Sequence, residues 1–279
     1  MAILTVDAFK KLSARKDNIA IIDARGGADA LERFEAGHLQ EAVFADLETD
    51  LSQKSTNAAN GGRHPLPSPS HFSKFLSSAG IDKTTTVVVY DDKNGGNAAA
   101  RFWWMLKSAG HEEAYVISGG LQALAAAGFE IVTGKPESRA HKEYEFADWI
   151  LPTVTIDQVA EAASNEDFIV IDVRENYRYR GESEPIDLVA GHIPGAINIP
   201  YTSNLDQNGH FLPSEVLVEK YNNALQGRDP KNVYVHCGSG VTACHTLLAL
   251  SDAGIEGASL YVGSWSEWSR NERPVATEN

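Results

Sequence analysis

The chain has 279 residues, and at roughly 150 residues per domain that is close to two domains. Hydrophobic residues make up 43% and charged residues 22%, the balance of a soluble globular protein, which excludes disordered, collagen-like and low-complexity classes. The net charge of −14 opposes attraction to nucleic acid or to an anionic membrane surface, so neither is expected as a partner.

The opening stretch, MAILTVDAFKKLSARKDN, lacks the apolar core of a secretory signal, and no later run reaches the roughly 18 apolar residues of a membrane span. A cytoplasmic protein with reduced thiols is expected. Ala20-Ile21-Ile22-Asp23-Ala24-Arg25 reads as a strand ending in Asp-x-Arg, and Ala36-Gly37-His38-Leu39 comes next. Ser52–Ser70, rich in Asn, Gly, Ser and Pro, is a loop insertion of the kind that carries function. Thr86-Val87-Val88-Val89-Tyr90-Asp91 is a second apolar run, followed by a Gly-containing turn and a helical stretch that Gly110 closes. Residues 133–152 are polar, carry two prolines and lack a period, as a connector would.

The same order then repeats. Ile169-Val170-Ile171-Asp172-Val173-Arg174 matches the first strand, Ala190-Gly191-His192-Ile193-Pro194-Gly195-Ala196 matches the Ala-Gly-His segment, and Asn232-Val233-Tyr234-Val235-His236 matches the second apolar run. Gly254 closes the helix that follows, and Glu182–Leu188 is a second insertion. Each copy alternates short β-branched runs with helical segments, the pattern of a parallel sheet covered by helices. The expected fold class is α/β, with one domain over 1–132, a second of the same fold over 153–279, and the connector 133–152 between them.

Cys237 and Cys244 are too few for a disulfide framework or a four-ligand zinc site, so neither a metal nor a cofactor is expected. Cys237 stands where the second apolar run hands over to the loop Cys237-Gly238-Ser239-Gly240-Val241-Thr242 and then to an apolar helix from Ala243. Ligands bind at the carboxyl ends of strands in open parallel sheets. Gly238 and Gly240 let successive amides turn inward as an anion-binding nest, and the helix N-terminus adds about half a positive charge. A free cysteine titrates near pH 8.5, and such surroundings lower that value. Cys237 is therefore expected to be a thiolate nucleophile. Cys244, inside the helix among Ala and Leu, reads as a packing residue.

The chain resembles the tandem-domain rhodanese family of sulfurtransferases over essentially its whole length. The resemblance rests on Asp172-x-Arg174, Gly191-His192-Ile193-Pro194-Gly195-Ala196, the six-residue loop from Cys237, and Gly263-Ser264-Trp265-Ser266-Glu267-Trp268. It implies two rhodanese-like domains, each a mainly parallel sheet covered by helices on both faces. It also implies transfer of sulfur from a small donor to a thiol or cyanide through a persulfide on Cys237. Within the loop, Gly238, Gly240, Val241 and Thr242 would bind the substrate. The first copy has no cysteine in the corresponding segment, Asp91 to Gly96, where Asp92 or Lys93 falls at the cysteine position, so that domain is expected to be catalytically silent.

The loop Cys-Gly-Ser-Gly-Val-Thr is similar to that of the mercaptopyruvate branch, whereas thiosulfate-preferring relatives carry cationic residues where this chain has Gly238 and Ser239. The resemblance makes Arg178 the anchor of the donor's anionic end, and a guanidinium fork suits a carboxylate. It calls for a second arginine after Glu184-Pro185, where this chain has Ile186-Asp187. Ser239 and His64 are implied in proton transfer, with Glu48 at the place of an aspartate. Asp23, Arg25, His38, Asp172, Arg174 and His192 read as structural residues and Arg180 as a surface arginine, while Trp265 and Trp268 either line the cleft or pack beneath it.

Three competing readings diverge on particular residues. A Cys-x5-Arg phosphatase needs an arginine where Ala243 stands. A dinucleotide fingerprint fails because Gly238-Ser239-Gly240 is followed by Val-Thr-Ala. A non-enzymatic persulfide carrier for a partner protein shares the same cysteine and differs only in turnover. The expected partners are a small sulfur donor and a thiol or cyanide acceptor, met by a monomer.

Overall fold

The computed structural model describes residues 2–15, 17–95, 98–135 and 139–278; Gly96 of the first-copy loop and positions 136–138 of the connector lie outside them. The chain forms two compact units. One comprises Met1–Gln53, Leu66–Ile150 and Gln207–Phe211, the other Lys54–Pro65, Leu151–Asp206 and Leu212–Asn279. The boundaries at 132 and 153 follow the repeat, whereas compactness keeps most of the connector with the first unit and exchanges two short arms, 54–65 and 207–211.

In the first unit the elements are β1 (Ile3–Leu4), α1 (Val6–Ser13), β2 (Ile19–Arg25), α2 (Ala30–Ala36), β3 (His38–Leu39), β4 (Val43–Asp46), α3 (Pro69–Ser78), β5 (Thr86–Tyr90), α4 (Ala98–Ser108), β6 (Ala114–Ile117), α5 (Gly120–Ala126) and β7 (Ile131–Val132). A parallel sheet in the order β1-β6-β5-β2-β4 carries the helices, and β3 pairs antiparallel with β7. All five residues of β5 are buried, as expected of a strand covered on both faces. Thr5 and Ser68 cap α1 and α3, each accepting a backbone N–H, and Pro69 occupies the first turn of α3, where its missing donor costs nothing. The aromatic run Phe102-Trp103-Trp104 is buried on α4.

The second unit contains α6 (Ile156–Ala162), β8 (Ile169–Asp172), α7 (Asn176–Tyr179), β9 (Ile197–Asn198), α8 (Ser214–Leu225), β10 (Val233–His236), α9 (Ala243–Asp252), β11 (Ser259–Leu260) and α10 (Ser264–Trp268). Its parallel sheet runs β11-β10-β8-β9, the order of the first sheet without the outermost strand. A single bridge from Thr153 to Leu260 marks that missing strand, and a bridge from His192 to Ala276 stands where β3 meets β7. The expected α/β architecture of helix-flanked parallel sheets is thus present twice. Gly110 and Gly254 adopt φ of +75° and +73° just past α4 and α9, and the next residues, His111 and Ile255, donate back to Leu106 and Leu250, satisfying carbonyls at the helix ends.

Against α9 lies a buried polar cluster. Asn204 Nδ2 donates to His245 Nδ1 at 3.3 Å, and Asn204 Oδ1 accepts from Tyr221 Oη at 2.7 Å and Lys220 Nζ at 2.6 Å. Burial, aided by the Lys220 charge, pushes the His245 imidazole down from 6.5 to about 3. Between those values the unfolded chain binds a proton that the folded chain refuses. The corresponding stability is complete above pH 6.5 and is lost as pH falls towards 3. Replacing His245 by Gln is expected to flatten the fall in stability between neutral pH and pH 5 by about 2 kcal/mol, measured as urea unfolding free energies at the two pH values.

Candidate active site

In the central pair of strands of the second unit, β8 and β10 run in register, with Asp172 opposite His236. Cys237 therefore leaves the sheet at a strand's carboxyl end, before α9 begins at Ala243. The start of α10 holds the loop from behind. Ser264 has a left-handed φ of +53°, and its Oγ accepts from the Cys237 N–H at 3.1 Å while donating to the Tyr261 carbonyl at 2.8 Å. Trp265 N–H reaches the Cys237 carbonyl at 3.0 Å, and Ser266 N–H the Gly238 carbonyl at 2.8 Å. Gly240 turns the loop with φ +75°, where a Cβ would lie 2.5 Å from the Val262 carbonyl oxygen. Cys237 is buried, as are Gly238, Ser239, Gly240 and Val241, with Thr242 partly exposed.

The first unit contains the same loop with a different occupant. Asp23 of β2 pairs with Tyr90 of β5 as Asp172 pairs with His236. Leu121 N–H bonds the Asp91 carbonyl at 2.9 Å as Trp265 bonds Cys237. The residue at the cysteine position is therefore Asp91, which corrects the expectation of Asp92 or Lys93; the strand ends at Tyr90, opposite Asp23 as His236 is opposite Asp172, so the loop begins at least one residue earlier than expected. Asp91 Oδ1 accepts the N–H groups of Lys93 at 2.8 Å and Gly95 at 2.7 Å, and Oδ2 that of Ala99 at 3.3 Å. The matching amides of the second unit belong to Ser239 and Val241. Neither donates to a protein acceptor among the described residues.

The arm 54–65 is built into this site. Gly61 N–H donates to Glu267 Oε1 at 2.8 Å, Arg63 N–H to Ser266 Oγ at 3.1 Å, and Asn271 Nδ2 to the Ala59 carbonyl at 2.8 Å. The arm delivers His64, whose Nδ1 lies 2.7 Å from Ser239 Oγ. Glu48 is exposed and belongs to the other unit, its N–H bonded to Asp46 Oδ1.

A charged cluster lies over Gly238, where a Cβ would be 3.2 Å from Arg63 Nη2 and 3.5 Å from Arg178 Nη2. Arg178, on α7, forks onto Glu184 through Nε at 3.1 Å and Nη2 at 2.7 Å. Burial alone would lower the Arg178 pKa, but the Glu184 bond and the charges of Glu184, Glu175 and Asp187 outweigh it and raise it. Burial likewise opposes ionisation of Glu184, and Arg178 with the Asp187 and Ile186 amides brings its carboxyl below the usual range. Where a second arginine is expected after Glu184-Pro185 the chain has Ile186-Asp187, and the Asp187 carboxylate instead gathers arginines. Arg270 Nη1 binds it at 2.9 Å and Arg63 Nε at 3.2 Å, with Arg178 Nη2 at 3.6 Å. Sequence reasoning singled out neither Arg63 nor Asp187 nor Arg270. The available signals were the adjacency of Arg63 to His64 and the place of Asp187 in the second insertion.

The residues read as structural satisfy one another. Arg25 binds Asp23 and the Gly37 carbonyl, and Arg174 binds Asp172 and the Gly191 carbonyl, each with Nη2 contacts of 2.6 and 2.7 Å. His38 stacks on Phe34 and His192 on Tyr179, with centroids 3.8 and 3.7 Å apart. Trp265 is buried beneath Arg174, which lies 4.5 Å above its ring. Arg180 is exposed beside Glu182, and Cys244 Sγ reaches the Gly240 carbonyl at 3.4 Å inside α9. Among the described residues no group of three His, Cys, Asp or Glu side chains is placed to hold a metal, and no helix is long and apolar enough to cross a membrane.

A family model for the rhodanese-like domain matches residues 5–127 and again 155–271. A Pseudomonas aeruginosa protein named "Probable 3-mercaptopyruvate sulfurtransferase" is 42% identical over 247 residues, covering 88% of this chain and 86% of that one. The thiosulfate sulfurtransferase of Gallus gallus is 32% identical over 247 residues, covering 88% and 83%. The solved structure of 3-mercaptopyruvate sulfurtransferase from Leishmania major superposes with a TM-score of 0.83 at 32% identity, covering 98% of this chain and 75% of that one.

Replacing Gly240 by Ala adds backbone strain of about 1–3 kcal/mol and forces the loop off the Val262 carbonyl. The expected result is a lower thermal midpoint together with an alkylation rate of Cys237 changed more than that of Cys244, read by peptide mass spectrometry.

Proposed function

Because this chain belongs to the rhodanese family, whose domain it carries twice, we propose that it is a sulfurtransferase. It moves sulfur from a small donor, 3-mercaptopyruvate, to a thiol or cyanide through a persulfide on Cys237. The observation that carries this reading is the pair of matched loops. The first-unit loop is satisfied by the carboxylate of Asp91, whereas in the second unit a sulfur atom replaces the carboxylate and leaves the matching amides to a bound anion. The first unit is accordingly catalytically silent, since a carboxylate cannot hold a persulfide.

In the first half-reaction the Cys237 thiolate attacks the donor sulfur. The S–S bond forms as the carbon–sulfur bond breaks, its electron pair leaving on carbon as the enolate of pyruvate. The proton on the transferred sulfur is released, the enolate gains one, and the persulfide anion remains. Ser239 and His64, 2.7 Å apart, form the relay for that proton traffic. The Ser239 and Val241 amides stabilise the sulfur anion, with Gly238, Gly240 and Thr242 shaping the loop, while Arg178 draws the donor's anionic end towards Gly238. In the second half-reaction an acceptor thiolate or cyanide attacks the outer sulfur and returns the Cys237 thiolate. The cytoplasm suits this chemistry, because its reducing conditions keep both free cysteines as thiols.

Thiosulfate remains a second reading on one specific observation. The loop itself lacks cations, but Arg63 and Arg178 supply guanidinium charge directly over Gly238. Parallel initial rates with 3-mercaptopyruvate plus a thiol and with thiosulfate plus cyanide decide between donors. A persulfide carrier would stop after one equivalent.

Cys237→Ser is expected to lower kcat/KM by roughly 10³-fold or more with either donor and to abolish the addition of one sulfur to the Cys237 peptide. Full activity in that variant would refute the assignment. Ser239→Ala and His64→Ala should each lower kcat for 3-mercaptopyruvate about 10²-fold, with the double variant little worse than either, because the two groups act as one relay.

A further inference from the structure

The geometry points to Arg63 as the group that bonds the donor's carboxylate directly, Arg178 contributing charge beside it, with Asp187 as the residue that positions Arg63; this rests on the sulfurtransferase reading above. Four arginines surround the loop, and their commitments differ. Arg174 is spent on Asp172, the Gly191 carbonyl and Glu184. Arg178 is forked onto Glu184 at 2.7 and 3.1 Å, and its side chain is 7% exposed. Arg270 uses one nitrogen, Nη1, for both Asp187 at 2.9 Å and the Ser266 carbonyl at 2.8 Å. Arg63 makes the loosest pairing, with Nε at 3.2 Å and Nη2 at 3.5 Å from Asp187, and its side chain is 28% exposed.

The charge balance favours the same residue. Asp187 has a side chain with no exposure, and it faces three guanidinium groups with a single negative charge. Glu184 offsets Arg178, so the excess falls on Arg63 and Arg270. Of these, Arg63 Nη2 is the nitrogen that stands over Gly238, next to the nucleophile. A short α-keto acid carries its carboxylate only a few bonds from its sulfur, so a donor engaged at Cys237 presents that carboxylate beside the neighbouring Gly238, over which Arg63 Nη2 stands. A carboxylate arriving there would exchange a long contact for a charge-assisted pair. Asp187 holds Arg63 and Arg178 at one place without neutralising both, and the preassembled pair spends little ordering entropy on binding.

The test uses the full-length protein with Cys237 intact and compares Arg63→Gln, Arg63→Lys, Asp187→Asn and the Arg63→Gln/Asp187→Asn double variant. With 3-mercaptopyruvate as donor and dithiothreitol as acceptor, Arg63→Gln is expected to raise the donor KM about 10-fold or more while kcat changes less than about 3-fold. The dithiothreitol KM should stay level, and lysine should restore part of the donor affinity. Asp187→Asn should raise the same KM, and the double variant should be no worse than Arg63→Gln. A donor KM within about twofold of the parent in Arg63→Gln, or a rise confined to thiosulfate, overturns the assignment. A parent protein that turns over neither donor and gains no sulfur on Cys237 overturns the sulfurtransferase reading instead.

Discussion

The site depends on an interaction between backbone amides and an anion at the carboxyl end of a central strand. Loop amides turned inward are fixed partial charges; they need no reorganisation when a negative atom arrives, and burial strengthens their effect. The two copies show this loop in two conditions. In one, Asp91 supplies the anion from its own side chain at 2.7–2.8 Å. In the other, Cys237 places a sulfur atom at the same backbone position, and the amides of Ser239 and Val241 have no protein acceptor among the described residues. At that backbone position one copy carries a carboxylate and the other a thiol, while the strand order and the clamp on the loop carbonyl are shared.

That cradle needs support, and each support has a local cause. The Asp172–Arg174 fork closes the end of β8 and ties it to the Gly191 carbonyl, so the strand that flanks Cys237 ends at a fixed place. Beside the fork, His236 pairs across the sheet with Asp172. Burial opposes charge on Asp172, but Arg174 and His236 outweigh it and keep the carboxyl below its ordinary range, whereas in the first unit burial wins over Arg25 and the Asp23 carboxyl is raised. The same fork thus bears a firmer charge in the copy that carries the cysteine.

Much of this was legible in the chain. The repeat of Asp-x-Arg and Ala-Gly-His segments marks two copies of one fold, because strand ends and tight turns tolerate few residue types. Cys237 stood out because it follows an apolar run and precedes glycines. The match of Asp91 to Cys237 was not legible, since the two loops share almost no residues and only strand register defines their phase. Arg63 and Asp187 were missed for another reason. They lie 124 positions apart, and their meeting is a property of folded insertions that no local pattern encodes. Both insertions had been recognised as loops, and both deliver charge to one spot.

The crossing of the arms has a consequence for how the polypeptide matures. Gly61 binds Glu267, 206 positions later in the chain, so the segment bearing Arg63 and His64 leaves the ribosome long before the helix that receives it. At about 5–20 residues per second, that interval lasts roughly 10–40 s. The first unit in turn waits for residues 207–211, where Phe211 N–H bonds Ser118 Oγ at 2.9 Å. Neither half can be finished during its own synthesis, and the arm bearing Arg63 and His64 can dock only after Glu267 has been made.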